Sequence, residues 1–195
     1  MTNTLVPLGN YPDVVYRVFA EREHAQQFID GNIRLGNIYY YKKVEDAKRR
    51  DKTEGESHVV HEGVNKHGMF ATNSIYILCC HKTLPSVAKC NLGSHVVKIN
   101  NPKMFAKDLT LAMEQSQDRY FGGIEGCCVE YSKGMESSAT FSGYEIVRLA
   151  YCQKPLNFSP EEEFRFVAIR KDSVGDFLSI QLNEPMEYCE IINGI

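Results

Sequence analysis

The chain has 195 residues, of which 43% are hydrophobic and 24% charged. This composition is typical of a globular domain and excludes collagen-like, low-complexity and intrinsically disordered classes. The longest uninterrupted apolar run, Ile75 to Cys80, is far shorter than the ~20 residues of a membrane helix. The first residues show neither the basic flank nor the apolar segment of a signal peptide. We therefore expect one domain, spanning residues 1–195, with no membrane association.

The cysteines indicate a reducing compartment. There are seven, and Cys79-Cys80 and Cys127-Cys128 are adjacent in sequence. Neighbouring cysteines rarely bridge each other, so the pattern does not indicate a disulfide framework. The paired half-motifs of zinc sites are also missing from the sequence, both around His58, His61 and His67 and around Cys79-Cys80-His81 with Cys90. We predict reduced cysteines, no bound metal and a cytoplasmic location.

Charge is distributed unevenly along the chain. The net charge of −3 argues against a protein that coats nucleic acid. However, residues 63–107 contain six lysines and no acid, whereas residues 172–195 contain no lysine or arginine. A basic middle segment suits a phosphate-bearing ligand or a nucleic-acid partner. The alternative is an ordinary solvated surface.

The first half of the chain predicts strands, one helix and a long loop. Val14 to Phe19 has the apolar run of a buried strand. A helix follows, stopped by Gly31, and a short strand from Ile33 leads toward Tyr39-Tyr40-Tyr41. Residues 44–69 are the most polar part of the chain and predict an exposed, mobile loop.

The second half predicts mostly strands. The predicted strands are Ile75–Cys80, His95–Ile99, Cys127–Tyr131, Tyr144–Tyr151, Phe164–Ile169 and an edge strand over Met186–Ile192. Pro102 is placed to open a helix whose apolar face carries Phe105, Leu109 and Ala112. Helices are few and do not alternate with the strands, so the fold class is α+β with a mostly antiparallel sheet. The glycine-rich phosphate loops of dinucleotide folds and P-loop proteins do not occur in the sequence.

A cluster of acids precedes the strand at Phe164. Glu161, Glu163 and Arg165 share parity, so an extended chain directs them to one face. A carboxylate at a strand end can accept a ribose hydroxyl, stabilise an oxocarbenium-like centre or act as a base. The alternative is a helix start, because Ser159, Pro160 and Glu162 match a capping box with a proline at the first helical position.

Arg17 interrupts the first apolar strand. A guanidinium keeps its charge, so it requires a carboxylate, a phosphate or an aromatic face. Its planar fork suits a diphosphate. A salt bridge to an acid such as Glu163 is the alternative.

Charged residues alternate through the polar segment around Arg50, Asp51 and Glu54. Asp46, Arg50 and Glu54 have the spacing of a helix with ion pairs on one face. The functional interpretation is a loop bearing arginine and acids that folds over a substrate.

Four features of the sequence, taken together, resemble two known families. The features are the Tyr16-Arg17 strand, the helix ending at Gly31, the segment ending Glu54-Gly55 and the run Lys154-Pro155-x-x-Phe158-x-x-Glu161-x-Glu163-x-Arg165. The combination resembles a diverse family of uncharacterised bacterial proteins associated with phage defence. More distantly, it resembles the ADP-ribosyltransferases.

The second resemblance implies a split-sheet fold and NAD as the substrate. It implies Arg17 as the first motif and Glu161 with Glu163 as the third, Glu163 being the catalytic carboxylate. The second motif falls on Thr72-Asn73-Ser74, where the family pattern is Ser-Thr-Ser, and Thr72 and Ser74 are expected to bind the cofactor. Tyr39, Tyr40 and Tyr41 are candidates to stack on nicotinamide.

The implied function is a toxin or defence enzyme that transfers ADP-ribose from NAD to a macromolecule. Its acceptor would be a nucleic acid or a protein, and an antitoxin or chaperone is a candidate partner. One alternative is a non-catalytic module that senses a phage protein or nucleic acid. A weaker alternative is a magnesium-dependent nuclease that uses Asp46, Glu54 and Glu163.

Overall fold

The computed structural model describes residues 10–43, 52, 55–61, 65–70, 74–116, 122–132, 136–137, 143–172, 175–184 and 186–192. The strands are β1 Val15–Phe19, β2 Asn32–Asn37, β3 Glu56–His61, β4 Asn65–Phe70, β5 Ile75–His81, β6 His95–Ile99, β7 Glu125–Cys128, β8 Glu130–Ser132, β9 Glu136–Ser137, β10 Gln153–Pro155, β11 Glu163–Ile169, β12 Phe177–Gln181 and β13 Cys189–Ile192. The helices are α1 Arg22–Ile29, α2 Tyr40–Lys43, α3 Leu84–Cys90, α4 Pro102–Gln115, α5 Gly143–Cys152 and a 3-10 helix Leu156–Glu161.

Eight strands form the main sheet. Six lie in the order β12-β2-β5-β1-β6-β13, while β11 pairs with β5 and β7. Every pairing in this sheet is antiparallel. Two smaller sheets, β10-β8 and β4-β3-β9, complete the architecture. The α+β class with a mostly antiparallel sheet is therefore confirmed.

The main sheet opens at β5, the strand that positions the candidate site. One edge of β5 pairs with β11 along its whole length, from Ile75 to His81. The other edge pairs with β2 at Tyr76 and Ile77 and with β1 at His81. Between these pairings β1 and β2 diverge beside residues 78–80 of β5. We call the space between the diverging strands the wedge.

One face of the main sheet carries the larger apolar core. Phe28 of α1 and Phe105 of α4 pack there at 5.6 Å between ring centroids, and Phe105 lies 4.8 Å from Phe166 of β11. Helix α4 begins as predicted: Pro102 occupies the first turn, and the Asn101 side chain accepts a hydrogen bond from the Met104 N–H. The α1 helix also ends as predicted, with Gly31 at a φ of 91°.

Several predicted elements were wrong. The predicted loop over residues 44–69 overlaps the β3–β4 hairpin, which is formed by residues 56–61 and 65–70, while residues 44–51, 53–54 and 62–64 lie outside the described residues. Backbone hydrogen bonds pair these two strands, and such pairing leaves no pattern of apolar residues in the sequence. Residues 40–43 form α2, not the end of a strand. Helix α3, capped by Thr83, and strand β12 were not predicted.

The predicted strand over Tyr144–Tyr151 is instead helix α5. Its last residues, Leu149 to Cys152, are all buried. A fully apolar run carries no periodicity that separates a buried helix from a buried strand. None of the helices in the described ranges combines the length and apolar character needed to cross a bilayer.

Candidate functional site

A cavity of about 570 Å³ fills the wedge. Five residues singled out from the sequence line it: Arg17, Tyr40, Tyr41, Glu161 and Glu163. They come from β1, α2, the 3-10 helix and β11, so the opening of the sheet brings together residues up to 146 positions apart. Its volume lies in the usual range for small-molecule sites, about 300–1,000 Å³.

Arg17 occupies the floor of the wedge. Its Nη1 donates to the Cys79 carbonyl at 2.5 Å. Cys79 lies in the part of β5, residues 78–80, that pairs with neither β1 nor β2. Its Nε is buried without a hydrogen-bond partner among the described residues. The guanidinium is permanently charged, and an anionic ligand in the cavity would compensate its charge.

Aromatic rings form one wall. Gly36 of β2 lacks a Cβ, which would lie 2.9 Å from the Tyr41 hydroxyl, so the glycine lets Tyr41 pack directly on the strand. Tyr40 packs against Phe177 at 4.5 Å between ring centroids, and the Arg34 guanidinium lies 3.4 Å from the Phe177 centroid. This wall offers flat apolar surface beside a cation.

Glu163 is held by two cations. Arg165 Nε donates to Glu163 Oε1 at 2.7 Å, and Lys154 Nζ lies 2.8 Å from Glu163 Oε2. Burial alone would raise the pKa of Glu163, but Arg165 and Lys154 outweigh it and hold the pKa well below its usual range. Glu163 is therefore a buried, ionised carboxylate.

Glu161 differs from Glu163 although Lys154 contacts both. Lys154 Nζ donates to Glu161 Oε2 at 2.7 Å. Burial, together with the neighbouring Glu163 charge, raises the pKa of Glu161 to about 7, against the opposing effect of Lys154. One acid is thus fixed in its charged form while the other exchanges a proton near neutral pH.

The local backbone explains why the two acids differ. The strand interpretation holds, because β11 begins at Glu163, whereas the capping-box interpretation is wrong. Residues 156–161 form a 3-10 helix that ends at this point, with Ser159 and Pro160 inside it and not at its start. Glu162 joins the helix to the strand in the left-handed region, with a φ of 43°, and accepts a hydrogen bond from Thr83 Oγ1 at 2.6 Å. Glu163 and Arg165 share a strand face as predicted, whereas Glu161 belongs to the helical turn.

His81 also lines the cavity, although the Cys79-Cys80-His81 run suggested at most a metal ligand. It pairs with Glu163 across β5 and β11, and its Nδ1 lies 2.8 Å from the Glu161 carbonyl. Its link to the acids spans 80 positions and leaves no local sequence signal.

The other predicted site residues lie elsewhere or outside the described residues. Tyr39 does not line the cavity and packs against a smaller apolar cluster that includes Ile75, Ile77 and Tyr151. Ser74 precedes β5, at the end of the strand opposite His81, and its carbonyl accepts a hydrogen bond from the Arg170 N–H. Thr72, Arg50, Asp51 and Glu54 lie outside the described residues.

The prediction that all cysteines are reduced was wrong for one pair. Cys127 and Cys152 form a disulfide, with their Cα atoms 6.4 Å apart. These two cysteines are not adjacent but 25 positions apart, and they meet where β7 contacts the end of α5. Within the described ranges, His, Cys, Asp and Glu side chains form no group of three or more suited to a metal ion.

Comparison of the chain with protein-family models, curated proteins and solved structures gives no significant match.

Proposed function

We propose that this chain is an ADP-ribosyltransferase-like enzyme that binds NAD in the wedge and cleaves its nicotinamide–ribose bond. The observation that carries the proposal is the convergence of Arg17 and Glu163 on one cavity. They are 146 positions apart in the sequence, and both were singled out from it for complementary roles toward one substrate.

Arg17 and the aromatic wall account for binding. The Arg17 guanidinium lines the cavity, and its planar fork suits the diphosphate. Tyr40, Tyr41 and Phe177 supply ring surfaces for a base. Arg34 adds a second positive charge at the same wall, which favours an anionic dinucleotide over a neutral nucleoside.

Glu163 accounts for the chemistry. Breaking the nicotinamide–ribose bond develops positive charge at the ribose, and a fixed carboxylate stabilises that charge more than it stabilises ground-state NAD. Arg165 holds the Glu163 carboxylate in one orientation from within the protein. The low pKa of Glu163 keeps it ionised at neutral pH.

The wider proposal follows the resemblance of the sequence. The acceptor of ADP-ribose is a nucleic acid or a protein, and the enzyme acts in the cytoplasm as a toxin or defence effector. An antitoxin or chaperone restrains it.

A second candidate function is supported by one observation. The Glu163 side chain is only 4% exposed, and both of its oxygens are paired with cations. In a non-catalytic sensor module this ion cluster would be structural, and the same cavity would bind a phosphate-bearing ligand without cleaving it.

Nicotinamide release from NAD separates the two functions. We expect the wild-type chain to release nicotinamide. Glu163→Gln keeps the size of the side chain but removes its charge, so turnover is expected to fall at least ~10²-fold with little change in NAD affinity. Glu162→Gln is the matched control, because this neighbour contacts Thr83 and does not line the cavity.

Arg17→Ala is expected to act on binding, because the diphosphate carries the same charge before and during bond cleavage. Calorimetry should show NAD affinity about 10-fold to 100-fold weaker, the scale of a hydrogen bond to a charged group. Arg22→Ala in α1, an exposed arginine that does not line the cavity, is the control. NAD that binds without nicotinamide release would favour the sensor module.

A further inference from the structure

His81 stands at the end of β5 with one ring nitrogen fixed. Its Nδ1 lies 2.8 Å from the Glu161 carbonyl oxygen. A carbonyl oxygen only accepts hydrogen bonds, so Nδ1 must carry the proton in this contact. In the neutral ring, the lone pair is therefore on Nε2.

The Nε2 atom is accessible to a ligand. His81 lines the wedge cavity. Among the described residues, Nε2 has no hydrogen-bond partner, and it is not one of the buried polar atoms that lack one. It therefore has solvent contact although the residue as a whole is only 7% exposed.

The groups that act on the ring come from four elements. They are the charged side chains of Arg17 on β1, Lys154 on β10 and Glu163 on β11, and the backbone carbonyl of Glu161 on the 3-10 helix. Burial lowers the pKa of His81, and Arg17 and Lys154 act in the same direction, while the Glu161 carbonyl and the Glu163 charge oppose them. The net direction is downward, so the ring is neutral at physiological pH.

Among the other titratable groups in the cavity, the Glu161 carboxyl has a pKa raised to about 7 and accepts a hydrogen bond from Lys154 Nζ. Burial raises the pKa of the Cys79 and Cys80 thiols and of the Tyr41 hydroxyl, so these remain protonated. The Glu163 carboxylate is ionised but paired with Arg165 and Lys154. His24 lines the cavity as well, but its side chain is exposed on α1, and no contact among the described residues fixes its tautomer.

We propose that His81 is the general base that activates the nucleophile accepting ADP-ribose, an inference that rests on the proposed function. The acceptor is a group bearing an X–H bond, such as a hydroxyl or water. As the bond between ribose C1′ and nicotinamide breaks, its electron pair neutralises the pyridinium nitrogen. The acceptor atom X forms a bond to C1′, and its proton passes to His81 Nε2, which later releases it to solvent.

The test uses the full chain with NAD as substrate and water as acceptor. His81→Asn retains an amide N–H that can take the place of Nδ1–H toward the Glu161 carbonyl, but it supplies no base. We expect nicotinamide release to fall about 10²-fold or more, the scale of general-base catalysis, with NAD affinity unchanged by calorimetry. His95→Asn, at the start of β6 and outside the cavity, is the matched control.

Two further measurements keep the test decisive if His81→Asn folds poorly. Imidazole added to His81→Ala should restore turnover, because a free base can enter the space left by the ring. For the wild type, kcat/KM should fall on the acid side with an apparent pKa below the 6.5 of an unperturbed histidine, and His81→Asn should lose that limb.

Full turnover by His81→Asn would mean that His81 only positions Glu161, and it would overturn the inference while the proposed function stands. Failure of imidazole to restore His81→Ala, or loss of turnover in His24→Asn instead, would overturn it equally. A wild-type chain that releases no nicotinamide would overturn both proposals together.

Discussion

The two faces of strand β11 carry side chains of opposite character, apolar on one and charged on the other. Phe164 and Phe166 are fully buried on one face, where Phe166 packs edge-on against Phe105 of α4. On the other face, Glu163 and Arg165 are equally buried but ion-paired with each other. The same seven-residue strand therefore contributes to an apolar core and to a charged cluster.

The difference separates what folds the chain from what its site requires. Apolar burial stabilises a fold directly, whereas a buried ion pair must first overcome the cost of removing both charges from water. Hydrophobic replacements of similar size often match or exceed such a pair in stability. A charged face on a central strand, open to a 570 Å³ cavity, is therefore better explained by function than by folding.

The largest expected effect on stability comes from removing one partner of the Glu163–Arg165 ion pair. Arg165→Met leaves Glu163 with Lys154 as its remaining ion-pair partner and removes the donor to the Tyr151 carbonyl. We expect a loss of about 3–5 kcal/mol in the free energy of unfolding, measured with urea. Phe166→Ala, one residue along on the apolar face, should lose a similar amount through its cavity.

A second substitution separates the two losses. Glu163→Leu added to Arg165→Met removes the buried carboxylate that has lost its Arg165 partner and should recover part of the stability. Added to Phe166→Ala, it should recover none. If the Glu163→Leu/Arg165→Met chain were less stable than Arg165→Met alone, the ion pair would be a stabilising element and the comparison would fail.

Removal of the Cys127–Cys152 disulfide, which lies on the charged face of β11, is expected to have the next largest effect on stability. Cys127 opposes Arg165 in the β7–β11 register and is bonded to Cys152, which follows Tyr151. Removing a cross-link that closes a loop of this length is expected to lower the free energy of unfolding by about 3 kcal/mol. Cys127→Ala measured against Cys128→Ala isolates the effect, because Cys128 is the exposed neighbour. Equal stability of the two variants, or no response of the wild type to reductant, would contradict it.

The sequence predicted elements where the pattern is local. The β6 strand is predicted by Val96, Val97 and Ile99, and α4 by its opening proline; both match the structure. Helix α5 was missed because the residues at its buried end are all apolar and show no helical periodicity. The β3–β4 hairpin was missed because its backbone pairing leaves no apolar signal.

The site was predictable only where charge is locally anomalous. Arg17 stands out in an apolar strand, and Glu161 and Glu163 stand out before one, so all three were found. His81 was missed as a cavity residue because its role depends on a backbone carbonyl at Glu161. Lys154 was noticed as part of a motif, but its bridge between two acids depends on how β10 and the 3-10 helix pack.

The smallest expected effect is a pH dependence that separates the two acids of the charged face. The pKa of Glu161 is raised from 4.5 to about 7, whereas that of Glu163 is lowered. At a pH between 4.5 and about 7, Glu161 is ionised in the unfolded chain but still protonated in the folded chain. The contribution of Glu161 to stability is therefore fully present below about pH 4.5 and is lost as the pH rises through about 7.

Glu161→Gln should remove this decline. The free energy of unfolding, measured with urea at several pH values across the window, should fall more steeply with pH in the wild type than in Glu161→Gln. The lowered pKa of His81 acts in the opposite direction, but it is present in both chains and cancels in the difference. Glu162→Gln, beside it in sequence and bonded to Thr83, should keep the wild-type slope. Parallel curves for the wild type and Glu161→Gln would show that the two acids titrate alike, and that Lys154 holds both in the charged form.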